Sequence, residues 1–182
     1  MEAAFDSITN RTNSIYATIH FMQHLFSPWR IKYIQQHARP AGCIFCLALE
    51  QSDSPENLIV RRTGRALVML NRYPYNNGHV MVVPISHQPS FELVDPATRA
   101  EMMELMTQAL TVLRSLYHPD GFNVGANLGA VAGAGVADHV HLHIVPRWGG
   151  DTNFMGVVGQ TRVLPEDLSE TYARIRAAWQ TS

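Results

Sequence analysis

The sequence predicts an α+β fold, a mainly antiparallel sheet covered by one long helix, and three observations carry that prediction. Runs rich in Val, Ile and Leu are bounded by Gly, Pro and Asn, the pattern of strands and tight turns. One stretch, from Asp95 to Tyr117, carries its apolar residues at three- and four-residue steps instead, the spacing of an amphipathic helix. The chain has 182 residues, 46% apolar and 16% charged, which suits a single globular domain with one good core.

Composition also excludes function classes. A net charge of −1 argues against a large non-specific nucleic-acid or membrane surface, and no basic stripe interleaved with aromatics points to RNA. No apolar run is long enough to span a bilayer, and the N-terminus lacks the features of a secretory signal, so a cytoplasmic location is expected. Residues 1–26 form an N-terminal extension with several open readings: a short helix through Ile15, Ile19 and Met22, disorder, docking on a partner, or a translation start at Met22. Residues 27–182 are expected to form one domain, opening with Trp29, Ile31, Tyr33 and Ile34 as core or interface residues.

In chain order, turn signals at Arg39, Pro40 and Gly42 deliver Cys43 and Cys46. In a reducing compartment that C-x-x-C reads as half a metal site or a redox pair. Asn57–Val60 and Ala66–Leu70 read as a hairpin turning near Thr63 and Gly64. Pro74, Asn76, Asn77 and Gly78 make a turn into a strand from His79 to Val83, with Asn71 where the previous strand meets that loop. Asp95 caps the long helix with Pro96 at its first position, and His118-Pro119-Asp120-Gly121 ends it. Phe122–Ala126 is a further strand, and Leu164-Pro165-Glu166-Asp167 opens a C-terminal helix running to about Trp179.

The densest chemistry lies in D-H-V-H-L-H-I-V-P-R-W, from Asp138 to Trp148. His139, His141 and His143 are spaced two apart, so an extended strand would send all three imidazoles to one face, roughly 6 to 7 Å apart. Neutral imidazoles in such a row need hydrogen-bond partners or a metal, which leaves two readings: a catalytic metal, or an imidazole nucleophile with helpers. Gly129, Gly133 and Gly135 just upstream supply amides suited to phosphate oxygens and favour the nucleophile.

These residues resemble the histidine triad (HIT) superfamily of nucleotidyl hydrolases and transferases. The likeness covers Trp29 to Phe154: S-P-W-R-I-K-Y-I, C-I-F-C, L-N-R-Y-P-Y-N-N-G-H-V-M-V-V-P, the glycine run, H-V-H-L-H-I-V-P, and P-R-W-G-G-D-T-N-F-M. It is strongest toward the fragile-histidine-triad branch and its microbial diadenosine polyphosphate hydrolases and phosphorylases. The resemblance implies five main strands and a homodimer whose sheets join, with an isologous interface using the long helix and its neighbouring strand. It implies cleavage of dinucleoside polyphosphates through a covalent nucleotidyl-histidine, with water or phosphate as acceptor.

By the same resemblance, His141 is the nucleophile, His143 contacts phosphates and assists the leaving group, and His139 completes the catalytic triad. Asn71 would meet the ribose hydroxyls, Asn127 and the amides of Gly133, Ala134 and Gly135 the phosphates, and Trp148 a second nucleotide. Zinc-containing relatives imply a structural zinc on Cys43, Cys46, His87 and His139. The glycine loop departs from animal members: it lacks a hydroxyl, and Ala137 and Asp138 both separate Val136 from His139. A nucleoside phosphoramidate hydrolase and a non-catalytic nucleotide-binding regulator are the alternative functions.

Overall fold

The computed structural model describes residues 42–151 and 166–180. The expectations for the N-terminal extension, for Trp29, Ile31, Tyr33 and Ile34, and for the first residues of the predicted C-terminal helix fall outside them.

Five strands form one antiparallel sheet: β1 (Ile59–Arg62), β2 (Ala66–Leu70), β3 (Val80–Pro84), β4 (Gly121–Gly125) and β5 (Leu142–Arg147), in the order β1-β2-β3-β5-β4. Among the described residues three α-helices accompany it: α1 (Ile44–Leu49), α2 (Pro96–Tyr117) and α3 (Leu168–Gln180). The α+β class is as expected.

Helix α2 forms where its local signals place it. The Asp95 carboxylate accepts from Thr98 N–H at 3.0 Å, Pro96 occupies the first turn, and His118 closes the other end in the left-handed conformation at φ 45°. Its 22 residues run about 33 Å. Met102, Leu105, Ala109, Val112 and Leu113 pack on Val68, Leu70, Val80, Val82 and Ile144, joined by Tyr172, Ile175 and Trp179 of α3.

The other face of the sheet is not a purely imidazole surface. Phe45 and Ala48 of α1 close a second core over Ile59, Leu67, Met69, Met81 and Val83. Strands β2 and β3 are therefore buried on both faces, which explains their unbroken apolar runs.

β3 and β4 are each displaced by one residue from their expected spans, and β1 and β5 depart further, each for a local reason. β1 starts two residues late because the Asn57 side chain accepts from Ser54 and Ile59 N–H groups and donates to Ser52 O, and Leu58 adopts φ 65°. β5 begins only at Leu142, so His143 alone of the three histidines lies in the strand. Ahead of it the chain turns to other partners: Val140 N–H donates to Gln88 O at 2.7 Å, and the His139 ring reaches Pro84 O at 2.8 Å.

Candidate active site and metal cluster

The three imidazoles keep to one side of the sheet but occupy three distinct settings. His143 pairs in register with Met81 and faces the side closed by α1. His141 and His143 stand edge to face with ring centroids 4.8 Å apart, closer than a regular strand would hold them, because the backbone departs from the strand before Leu142.

His141 is 4% exposed and touches Phe45, with ring centroids 5.0 Å apart. Its Nδ1 lies 2.9 Å from the main-chain oxygen of His139, so Nδ1 carries the proton and Nε2 keeps its lone pair. Burial pushes the pKa of His141 below the ordinary histidine value, and the bond to His139 O opposes that shift only in part. The ring is neutral at pH 7, and a neutral imidazole with one free nitrogen is a competent nucleophile.

His139 is fully buried, and burial lowers its pKa as well. Its Nε2 donates to Pro84 O, which leaves Nδ1 unprotonated and facing Cys43 Sγ at 3.3 Å and Cys46 Sγ at 3.7 Å. His87 Nδ1 lies 3.3 Å from Cys46 Sγ, and one ligand atom from each of the four residues falls within 4.8 Å of the others. A tetrahedral zinc with ordinary bond lengths separates sulfur from nitrogen ligands by about 3.5 Å, so the donor set and its spacing suit a metal ion. The Nε2–H···Pro84 contact orients the His139 ring in the way outer partners orient metal-bound histidines.

Asn71 sits at the end of β2, where its Oδ1 accepts from Tyr73 N–H at 2.9 Å and its Nδ2 lies 3.5 Å from His79 Nε2. Asn127 donates to Gly133 O at 3.3 Å, tying it to the glycine loop. Within that loop, Gly133 N–H goes to Ala130 O and Ala134 N–H to Gly129 O. Gly135 N–H is the one of the three proposed amides with no such bond among the described residues.

Trp148 stands apart from the histidines. Its indole N–H donates to Tyr117 O at the end of α2, and its main-chain N–H to Asp151, whose carboxylate also holds Arg147 and Asn76.

Two contributors to the site had no assigned role in the sequence. Phe45, inside C-I-F-C, packs against both His139 and His141. His79 reaches His143 at 3.0 Å and is 1% exposed. The signal for His79 was available: it lies two residues before Met81, so it shares the imidazole face of β3.

This sheet, with its buried histidines and glycine loop, defines a histidine triad protein, and the chain belongs to the HIT domain family, whose model matches residues 51–150. Among curated relatives, the AP-4-A phosphorylase of Mycobacterium tuberculosis strain H37Rv is 36% identical over 167 residues, which span 87% of this chain and 85% of that one. Among solved structures, a Zn-bound histidine triad family protein from Mycobacterium smegmatis superposes with a TM-score of 0.62 at 27% identity, covering 77% of this chain and 94% of that one. A hypothetical histidine triad nucleotide-binding protein from Sulfolobus tokodaii follows at a TM-score of 0.60 and 25% identity, covering 76% and 93%.

Proposed function

We propose that this protein cleaves dinucleoside polyphosphates of the diadenosine tetraphosphate type by nucleotidyl transfer through His141, with inorganic phosphate as acceptor. The observation that carries the reading is the 2.9 Å contact from His141 Nδ1 to His139 O, which presents the free Nε2 of a buried, neutral ring. The phosphorylase assignment of the relative from M. tuberculosis supports the substrate class and the acceptor.

The Nε2 lone pair attacks the α-phosphorus, and the bond to the bridging oxygen breaks with its electron pair leaving on the departing nucleotide. His143 donates a hydrogen bond or proton toward that leaving oxygen. Phosphate then attacks the same phosphorus, the P–N bond breaks, and its electron pair returns to Nε2. Asn127 and the Gly135 amide serve the phosphate oxygens, with Gly133 and Ala134 shaping the loop, and Asn71 serves a ribose. Trp148, held at the end of α2, borders the site only from the far end of β5.

The donor geometry of Cys43, Cys46, His87 and His139, together with the Zn-bound structure from M. smegmatis, supports a structural zinc. Cys43, Cys46, His87 and His139 would hold the ion, which would supply a structural anchor for the His139 side chain. The free thiols of the two cysteines suit a reducing, cytoplasmic setting. The outer strand β4 pairs on one side with β5, and with its exposed Val124 it supports a dimer joined through that edge. Light scattering should return twice the chain mass.

Brief exposure to diadenosine tetraphosphate followed by mass spectrometry should find an acid-labile adenylyl group on His141. His141→Ala should lose both adduct and turnover, and undiminished turnover would sink the mechanism. ADP appearing only when phosphate is added identifies phosphorolysis; AMP formation without phosphate assigns water as acceptor.

A further inference from the structure

Helix α1 closes only part of the face on which the histidines stand: its core draws on β1, β2 and β3 and takes no buried residue from β4 or β5. On β4 that face is nearly bare. Residues directly opposite in an antiparallel pair point the same way, and Gly125 stands opposite His143, Asn123 opposite Val145 and Gly121 opposite Arg147. Phe122 and Ile144 turn instead to the core under α2. β4 therefore offers Gly-Asn-Gly to the histidine side, and a Cβ added at either glycine would meet open space. The result is a shelf beside β5, running from His143 toward Arg147, with the exposed Asn123 as the one side chain that β4 places on it.

The orientation of that side chain is fixed from behind. Arg147 grips the largely buried Asp151 carboxylate through Nε at 2.6 Å and Nη2 at 2.9 Å, and its Nη1 donates to Asn123 Oδ1 at 2.6 Å. A guanidinium can only donate, so the oxygen of the Asn123 amide is occupied and the nitrogen points elsewhere. No acceptor among the described residues takes the Nδ2 protons.

We propose that Asn123 is a substrate-contacting residue, which donates its amide N–H groups to phosphate oxygens of the departing nucleotide. The reading rests on the function proposed above, in which His143 serves the oxygen that leaves. Asn123 is the diagonal neighbour of His143 across the β4–β5 ladder, and diagonal neighbours stand roughly 7–8 Å apart. Successive phosphoryl units of one polyphosphate can touch both. With Oδ1 held by Arg147, the side chain offers donors alone, which suits a phosphate oxygen better than a ribose hydroxyl that must also give its proton. The glycines on either side leave room for tetrahedral groups. Pairing of a second copy along the β4 edge would use main-chain groups in the plane of the sheet and leave this face free. Asn123 thus senses how much polyphosphate follows the attacked phosphorus.

Calorimetric titration with AMP and with ATP separates the phosphate tail from the nucleoside that carries it. Wild type should bind ATP more tightly than AMP. Asn123→Ala should weaken ATP about tenfold and AMP by less than about twofold, and the retained AMP binding shows that the variant is folded. Asn123→Asp keeps an acceptor for Arg147 but loses the donors and adds a negative charge, so it should weaken ATP further than Asn123→Ala does. ATP binding unchanged in Asn123→Ala, equal weakening of AMP and ATP, an Asn123→Asp variant that binds ATP as wild type does, or a wild type that binds ATP no more tightly than AMP overturns the proposal. A wild type that shows the expected ATP pattern yet leaves diadenosine tetraphosphate intact removes the proposed substrate and leaves the phosphate contact of Asn123 standing.

Discussion

The main-chain oxygen of His139 holds the Nδ1 proton of His141 at 2.9 Å, while the His139 ring points Nδ1 at Cys43 and Cys46. One residue thus joins the Cys43, Cys46 and His87 cluster by its side chain and orients the ring of His141, the proposed nucleophile, by its backbone. Whatever anchors the ring also anchors the carbonyl that sets the tautomer of His141.

Removing the proposed zinc is therefore expected to reach His141. Metal analysis should give about one zinc per chain, lost on Cys43→Ser or His87→Ala. At free zinc a thousandfold above its Kd, the lost linkage is about 4 kcal/mol, read as a lower unfolding midpoint. Turnover should fall with metal content although neither residue has a place in the proposed nucleotide site, and a metal-free protein with an unchanged rate would uncouple the two sites.

Phe45 supports the same arrangement from the other side, 5.3 Å from the His139 ring centroid and 5.0 Å from that of His141. It is also the largest side chain of the second core. Phe45→Ala should cost about 3–5 kcal/mol, measured by denaturant unfolding, and Phe45→Leu clearly less. Because the cavity would open beside His141, the proposed nucleophile, the Leu variant should lose rate out of proportion to its small loss of stability. Equal rates in wild type and Phe45→Leu would reduce Phe45 to core filling.

Helix α2 was legible in the sequence because cap, first-turn proline and apolar steps all act within a few residues of one another. Strands β1 to β4 were legible to within two residues, and β1 missed by that much because the Asn57 turn is itself built by side-chain hydrogen bonds. The bend at His139 and His141 was not legible. It is decided by Pro84 and Gln88, about fifty positions away in the chain, and strict alternation of His gave the strand reading more length than β5 has. The His79–His143 contact is longer-range still. For the cluster, spacing supplied only Cys43 and Cys46; His87 and His139 came from resemblance, and the geometry now brings all four together.

Gly78 is where the chain enters β3 and delivers His79. Its φ is +72°, and a Cβ there would stand 3.1 Å from Leu113 Cδ2, 3.2 Å from Tyr117 Cε2 and 3.3 Å from Pro146 Cγ. Both the backbone and the space penalise a side chain, so Gly78→Ala should destabilise by about 1–3 kcal/mol. Pro146 lies in β5 and Leu113 in α2, so relief by shifting either disturbs the packing behind His143. Unfolding in denaturant measures the loss, and a variant as stable as wild type would show that the turn relaxes freely.

The cap of α2 gives a pH signature of its own. Hydrogen bonds from Thr98, its hydroxyl first and then its main-chain N–H, hold the Asp95 carboxyl below the ordinary aspartate pKa. A carboxyl with a depressed folded-state pKa contributes stability that is fully present above its unfolded value, about 3.9, and is lost as pH falls through the folded value. Asp95→Ala should therefore melt below wild type at pH 7, with the gap narrowing as the pH drops beneath the ordinary carboxylate range. The direction follows from which state binds the proton more tightly: the unfolded carboxyl does, so acid favours unfolding of wild type and leaves the Ala variant without that contribution. Thermal scans of both proteins across pH 7 to 3 measure the gap. A gap independent of pH would mean that Asp95 holds the helix by shape and not by charge.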